Sequence, residues 1–202
     1  MELHIHERAQ AEELPAFYFD LGSPECYLVA ERILQTMPVA TEWIPVLERD
    51  LPGATDTAAL DQHALAATLA ERGLQALRLP EPFPFDSAFA LRAATYAKQI
   101  GRIVAFSLAA FRQAFAGGRA LDVTDNVLIA GSACEMHPTA LLKSADLKST
   151  VTTLAAATQL AAVRGVNSVP AIWVPATSTL PARVFHGDAW LEHAADALRM
   201  TA

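Results

Sequence analysis

A chain of 202 residues with 52% hydrophobic and 18% charged side chains can build one good core, or a small domain with another inserted in it, and disorder is excluded beyond its ends. Its formal net charge of −7, without any cluster of lysine and arginine, argues against nucleic acid and anionic membrane surfaces and leaves small molecules or proteins as partners. No run is apolar for the roughly 18 residues a membrane span requires, and Met1 to Glu13 lacks the basic head and apolar centre of a secretion signal, so a cytoplasmic protein is expected.

Residues 1–14 read as a charged tail. His4 and His6 lie there with nothing nearby to complete a metal site, so no metal is expected. Ala16 to Phe19 is an apolar, aromatic run suited to a buried strand, and the chain breaks over Asp20 to Gly22. Pro24 then opens a helix to about Met37, closed by Pro38. Ala40 to Val46 alternates as a second strand, with Pro45 marking its exposed edge or its end. A strand, helix, strand opening of this kind gives a parallel pair joined by a right-handed crossover.

From about Leu47 to Gly165 the pattern is mostly helical. Helices are expected over Asp56 to Gly73, from a cap at Asp86 or Ser87 to Gly101, and through Phe106, Phe111 and Phe115 to Gly117-Gly118. Two short ones follow, over Asp122 to Ala133 and Pro138 to Ala145. The segment from Leu79 to Phe85 holds three prolines and is not regular helix. Leu147 to Arg164 is a longer helix with Leu147, Val151, Leu154, Thr158 and Ala161 on one face, ended by Gly165.

Strands return at Val169 to Val174 and Ala182 to His186, and a last helix runs from Ala189 to about Met200 with Leu191 and Leu198 inward. The order β-α-β, helical insertion, β-β-α builds one mixed sheet with helices on both faces. It divides the chain into a tail (1–14), a sheet domain (15–47 and 166–202) and a helical insertion domain (48–165).

Ser23-Pro24-Glu25-Cys26 sits where the first strand delivers the chain to a helix N-terminus. Backbone N–H groups there lack intrahelical partners, and the aligned peptide dipoles attract an anion. The four residues have CxxC spacing with serine in the place of the attacking cysteine. A hydroxyl cannot form a disulfide, so dithiol chemistry within the motif is excluded. Ser23 either caps the helix or donates a hydrogen bond to the thiolate of another molecule. Cys26 and Cys134 are expected as free thiols, Cys134 as a small core residue, and Cys26 as a possible redox group.

The stretches Phe17 to Pro24 with Tyr27-Leu28, Trp43 to Pro45, Phe83 to Ala93, Arg164 to Val166 running to Val169-Pro170, and Gly187 to Leu191 occur in the order of a known group. The chain resembles the DsbA-like thioredoxin-fold proteins that include DsbA-type oxidoreductases, kappa-class glutathione transferases and, most closely, 2-hydroxychromene-2-carboxylate isomerase. The resemblance implies a thioredoxin-like fold with an inserted helical domain, glutathione or another low-molecular-weight thiol as cofactor, and dimerisation in common with other members.

By that resemblance Ser23 is the catalytic residue, hydrogen-bonding the glutathione sulfur and favouring its thiolate. Val169, before a cis Pro170, pairs with the cysteinyl part of the tripeptide. Gly187 and Asp188 complete the cofactor site, Asp188 receiving the γ-glutamyl ammonium; read as a residue alone, Asp188 is a helix cap. The implied reaction is an isomerisation of an aromatic or unsaturated carboxylate by reversible thiolate addition. Trp43, Pro45, Phe83, Phe85, Asp86 and Arg92 would line the substrate pocket, Arg92 as partner for a carboxylate.

The chain departs from the isomerase pattern at Glu25, Cys26, Asp86, Ala189 and Asn167-Ser168. An added negative charge at Asp86 is unfavourable beside an anionic aromatic acid. Three competing readings are a monothiol redox protein using Cys26, a kappa-like glutathione transferase, and a non-catalytic ligand-binding member of the fold.

Overall fold

A computed structural model describes residues 13–54 and 60–200. The tail with His4 and His6, and the start of the helix expected from Asp56, lie outside the described residues. β1 (Ala16–Phe19) leads into α1 (Pro24–Thr36) and β2 (Glu42–Pro45). A short 3-10 turn (Glu48–Asp50) precedes α2 (Gln62–Glu71), α3 (Ala88–Gln99) and α4 (Ile103–Phe111), which runs on into a wide π turn over Arg112–Ala116. Then come α5 (Thr124–Ser132), α6 (Pro138–Ala145) and α7 (Lys148–Val163). β3 (Ala171–Val174), β4 (Arg183–His186), a 3-10 turn (Asp188–Trp190) and α8 (Leu191–Arg199) close the chain.

The sheet order is β2-β1-β3-β4. β1 and β2 are parallel, as the α1 crossover requires, and Phe17 lies opposite Trp43. β1 pairs antiparallel with β3, and β3 with β4. β2 is therefore an edge strand, and Pro45 ends it, where a missing N–H costs no ladder bond. Every residue of β1 and β3 is buried, which explains their unbroken apolar runs.

An aromatic cluster ties sheet to helices. The Trp43 ring meets Phe17 edge-on at 5.1 Å, Phe19 meets Phe111 at 5.8 Å, and Tyr27 lies between Phe111 and Phe115 at 6.4 and 6.1 Å. One hydrophobic core thus runs from β1 and β2 into α4 and its π turn. α8 packs on β3 and α1, and α3 and α7 pack on β2.

One expectation about a face is corrected in part. On α7 the buried stripe is Thr150, Leu154, Thr158 and Ala161, while Leu147 and Val151 are about half exposed, at 53% and 47%. The hydroxyl of Thr158 wins the inward position because it accepts the Leu47 N–H at 3.0 Å and donates to the Leu154 carbonyl at 3.0 Å. On α8 both expected residues face inward: Leu191 is buried with Ala194 and Ala195, and Leu198 is partly buried against the core. The α7 terminator is as the sequence implies: Gly165 has φ +85°, and its N–H bonds to the Ala162 carbonyl at 3.0 Å.

Candidate active site

Asp20 makes the turn that presents Ser23. Its Oδ1 accepts the Gly22 N–H at 2.8 Å, and its carbonyl accepts the Ser23 N–H at 3.1 Å, an Asx turn at the end of a strand. Ser23 is extended (φ −97°, ψ 115°), and Pro24 follows in the first helical turn. The Ser23 Oγ accepts the Cys26 N–H at 3.4 Å. The same hydroxyl also hydrogen-bonds the Cys26 thiol, so capping and this thiol contact share one short side chain, and a sulfur from another molecule would take over the second of these bonds. Ser23 is 5% exposed.

Cys26 is 0% exposed. Burial first, then the Glu48 carboxylate, pushes its thiol well above the ordinary value, while the Ser23 hydroxyl and the Asp20 backbone oppose the rise. The reactive-thiol role is therefore corrected: a thiol held protonated and out of reach is a poor nucleophile. Cys134 is also buried, and both cysteines are free.

The Val169–Pro170 peptide is cis. The Pro170 carbonyl accepts the Gly187 N–H at 2.8 Å, and the β1–β3 ladder ends at Tyr18 opposite Ala171. The loop before β3 is thus held beside the end of β1, from which the Ser23 turn departs. Val169 is buried.

Asp188 makes no side-chain cap; it starts a 3-10 turn, and α8 begins three residues later. Two guanidinium groups hold its carboxylate instead. Arg32 Nη1 reaches Oδ1 at 3.2 Å, Arg72 Nη1 reaches Oδ1 at 2.8 Å, and Arg72 Nη2 binds Oδ2. Arg32 also pairs with Glu192. The carboxyl of Glu25, on the same helix as Arg32, is pushed up by burial and then by Asp188. Sequence reasoning missed both arginines. Arg32 follows Glu25 by seven positions and so shares its helix face, a usable signal; Arg72, 116 residues from Asp188, left none.

A cavity of about 290 Å³ opens beside the turn, lined by Asp20, Gly22, Glu48, Arg49, Phe85 and Ser87 among others. Of the expected pocket residues, Phe85 and Asp86 line it. Trp43 does not: it is 1% exposed within the aromatic cluster. Pro45 is buried opposite Phe19 in the sheet. Phe83 lines a second cavity with Gln62, Leu77 and Pro80. Arg92 is turned elsewhere, its Nε donating to the Ala145 carbonyl at 2.9 Å and its Nη2 lying 3.7 Å from Asp146.

The cavity wall is acidic. Asp20 is buried, with Oδ2 accepting the Glu48 N–H at 3.0 Å and with a further hydrogen bond from the Ser87 side chain. Burial lifts its carboxyl above the ordinary value, against the pull of these donors. Glu48 is 7% exposed. Asp86 accepts Arg49 Nη1 at 3.1 Å and caps α3 through the Ala88 N–H at 3.0 Å. Asp20 was legible as a turn residue, yet its place on the wall depends on Glu48 and Ser87 meeting it in three dimensions. No group of histidine, cysteine and acidic side chains among the described residues could hold a metal ion. No described helix is long and apolar enough to cross a membrane.

No protein-family model matches the chain, and no curated protein matches it in sequence. Solved structures do match its fold. A 2-hydroxychromene-2-carboxylate isomerase superposes with a TM-score of 0.77 at 15% identity, over 94% of this chain and 96% of that one. A probable DsbA oxidoreductase from Streptomyces coelicolor gives 0.72 at 20% identity, over 92% and 88%. The cytosolic disulfide reductase DsbM from Pseudomonas aeruginosa, solved with GSH, gives 0.68 at 13% identity, over 94% and 98%. The chain has the DsbA-like thioredoxin fold, and these similarities speak to fold.

Proposed function

We propose that this protein is a thiol-cofactor-dependent isomerase that binds glutathione with its sulfur at Ser23 and acts on an unsaturated electrophile. The observation that carries the reading is Ser23 itself: a hydroxyl at the head of α1, in a motif whose own cysteine is buried. When bound, glutathione supplies a sulfur nucleophile that adds reversibly to a conjugated double bond and is recovered unchanged.

The chain's residues fit that group at two ends. At the sulfur, the Ser23 hydroxyl and the N-terminus of α1 favour the thiolate over the thiol, whose unperturbed pKa is about 8.5. At the amine, Asp188 is held by both Arg32 and Arg72, so it receives an ammonium group only by giving up one of these guanidinium partners. The loop from Val169 through cis Pro170 offers backbone for strand-like pairing with the cysteinyl unit. Asp20 keeps Ser23 in register by bonding Gly22 and Glu48. The neighbouring cavity gives the electrophile a place next to the turn.

A redox role through Cys26 would require its sulfur to leave a fully buried position. The test is calorimetric titration of glutathione together with glutathione-dependent turnover of a conjugated carbonyl compound, in the wild type and Ser23→Ala. Binding and turnover that depend on Ser23 support the reading; equal turnover in Ser23→Ala contradicts it.

A further inference from the structure

We infer that His186 is a positioning residue for the loop before β3: its Nε2 lone pair holds the Asn167 N–H and so keeps the Val169 backbone placed for the thiol cofactor, an inference that rests on reading that loop as cofactor-binding. The loop is pinned at successive backbone points. The Val166 N–H bonds to the Ala161 carbonyl at 3.0 Å, the Gly53 N–H to the Asn167 carbonyl at 2.8 Å, the Gly187 N–H to the Pro170 carbonyl at 2.8 Å, and the Asn167 N–H to His186 Nε2 at 3.1 Å. Of these bonds the last alone uses a side chain, and it alone is lost when that side chain takes a proton. Gly53 approaches so closely that a Cβ there would lie 3.2 Å from the Asn167 carbonyl oxygen, so Asn167 is held between this turn and β4.

A ring nitrogen accepts only when it carries no proton, so the bond fixes the neutral tautomer with its hydrogen on Nδ1. Protonation turns Nε2 into a donor facing another donor, and the pin opens. The strand registers place His186 beside Ala171 and in line with Tyr18 on one face of the sheet. On that face Arg164 bonds Tyr18 and stacks on Trp173. Asp188, beyond Gly187, is held by Arg32 and Arg72, and Glu48, Arg49 and Asp50 stand on the turn before Gly53. Arg183 lies over Phe185 on the other face, which Trp190 meets at the head of α8 with its Glu192 and His193. Burial is what pushes the His186 ring below its ordinary 6.5, with no charged neighbour contributing. The pin is therefore closed at neutral pH and opens on acidification.

Nuclear magnetic resonance of the imidazole nitrogens and of the Asn167 amide reads the pin directly, and calorimetric titration of glutathione from about pH 7.5 to about pH 5 reads its consequence, in wild type, His186→Gln and His186→Phe. Glutamine keeps an acceptor that does not titrate, phenylalanine keeps a ring without the acceptor, and thermal melts report whether each variant folds. In wild type Nε2 is expected to be unprotonated at pH 7.5, with the Asn167 amide shifting in step with the ring as it takes its proton. Over that step glutathione affinity is expected to fall about threefold more in wild type than in His186→Gln, and at pH 7.5 to be about threefold weaker in His186→Phe, the scale of one solvent-accessible hydrogen bond. Comparison with His186→Gln cancels the ionisation of the cofactor's own thiol. An Asn167 amide that ignores the ring, or a wild-type affinity profile superimposable on that of His186→Gln, overturns the inference. Glutathione that binds neither wild type nor variant at any pH removes the thiol-cofactor reading, while the amide titration still decides whether His186 holds the loop.

Discussion

Cys26 and Ser23 lie three residues apart and make opposite predictions. Because burial raises the Cys26 thiol above its ordinary value of 9.0, folded and unfolded chains bind this proton equally below about pH 9. Above it the unfolded thiol ionises first, so stability contributed by Cys26 is lost as pH rises. Chemical denaturation from pH 7 to 10.5 should therefore show wild type losing stability faster than Cys26→Ala above about pH 9, by up to the one-proton slope of about 1.4 kcal/mol per pH unit. Parallel curves would mean the thiol is accessible after all. For Ser23→Ala the expected loss of thiol-dependent kcat/KM is about 10²-fold or more, the scale for a donor aimed at developing or resident negative charge. Loss of the cap destabilises α1 by about 1 kcal/mol, which a thermal melt reports separately. The spacing of Ser23 and Cys26 was legible in the sequence as a helix start. The depth of Cys26 was not, since it depends on the core that closes over the first turn of α1 and not on the motif itself.

Among elements, the contact that the sequence could not supply is that of α2 with the 3-10 turn before α8. Arg72, at the end of α2, and Arg32, on α1, converge on Asp188. If the γ-glutamyl ammonium competes with Arg72 for that carboxylate, Arg72→Ala should tighten glutathione about fivefold, matching the roughly 1 kcal/mol of a partly exposed ion pair. Unchanged or weaker binding would place the amine elsewhere. The π turn after α4 carries a second prediction. A Cβ added at Gly117 would lie 2.7 Å from the Gln113 carbonyl oxygen, so Gly117→Ala should lower stability by about 1–3 kcal/mol in denaturant titration. The helix boundaries of this region were readable from Gly, Pro and capping residues. The inward face of α7 was legible at Leu154, Thr158 and Ala161, where the Leu47 N–H donates to the Thr158 hydroxyl, but not in its first turn, where Thr150 is buried and Leu147 and Val151 are half exposed.

At the scale of the molecule, the β-α-β opening, the helical middle and the β-β-α close were all legible, because each strand carried an aromatic or β-branched run and each turn its own breaker. What separates pocket from core was not. Trp43 reads equally well as either in sequence, and only its place between Phe17 and Phe19 puts it in the core. Trp43→Ala should accordingly cost about 3–5 kcal/mol of stability, whereas a pocket wall would show its effect in KM with the melt nearly unchanged. In the proposed reaction Ser23 and the head of α1 hold another molecule's sulfur as its thiolate. Ultraviolet titration of glutathione bound to the protein measures this directly, since both of the protein's own thiols are raised by burial and stay silent below about pH 9. A bound thiol pKa at least about one unit below the free value of roughly 8.5 is expected in wild type, returning toward it in Ser23→Ala; an unshifted pKa in the wild type, or the same shift in both proteins, would mean that Ser23 does not hold the thiolate.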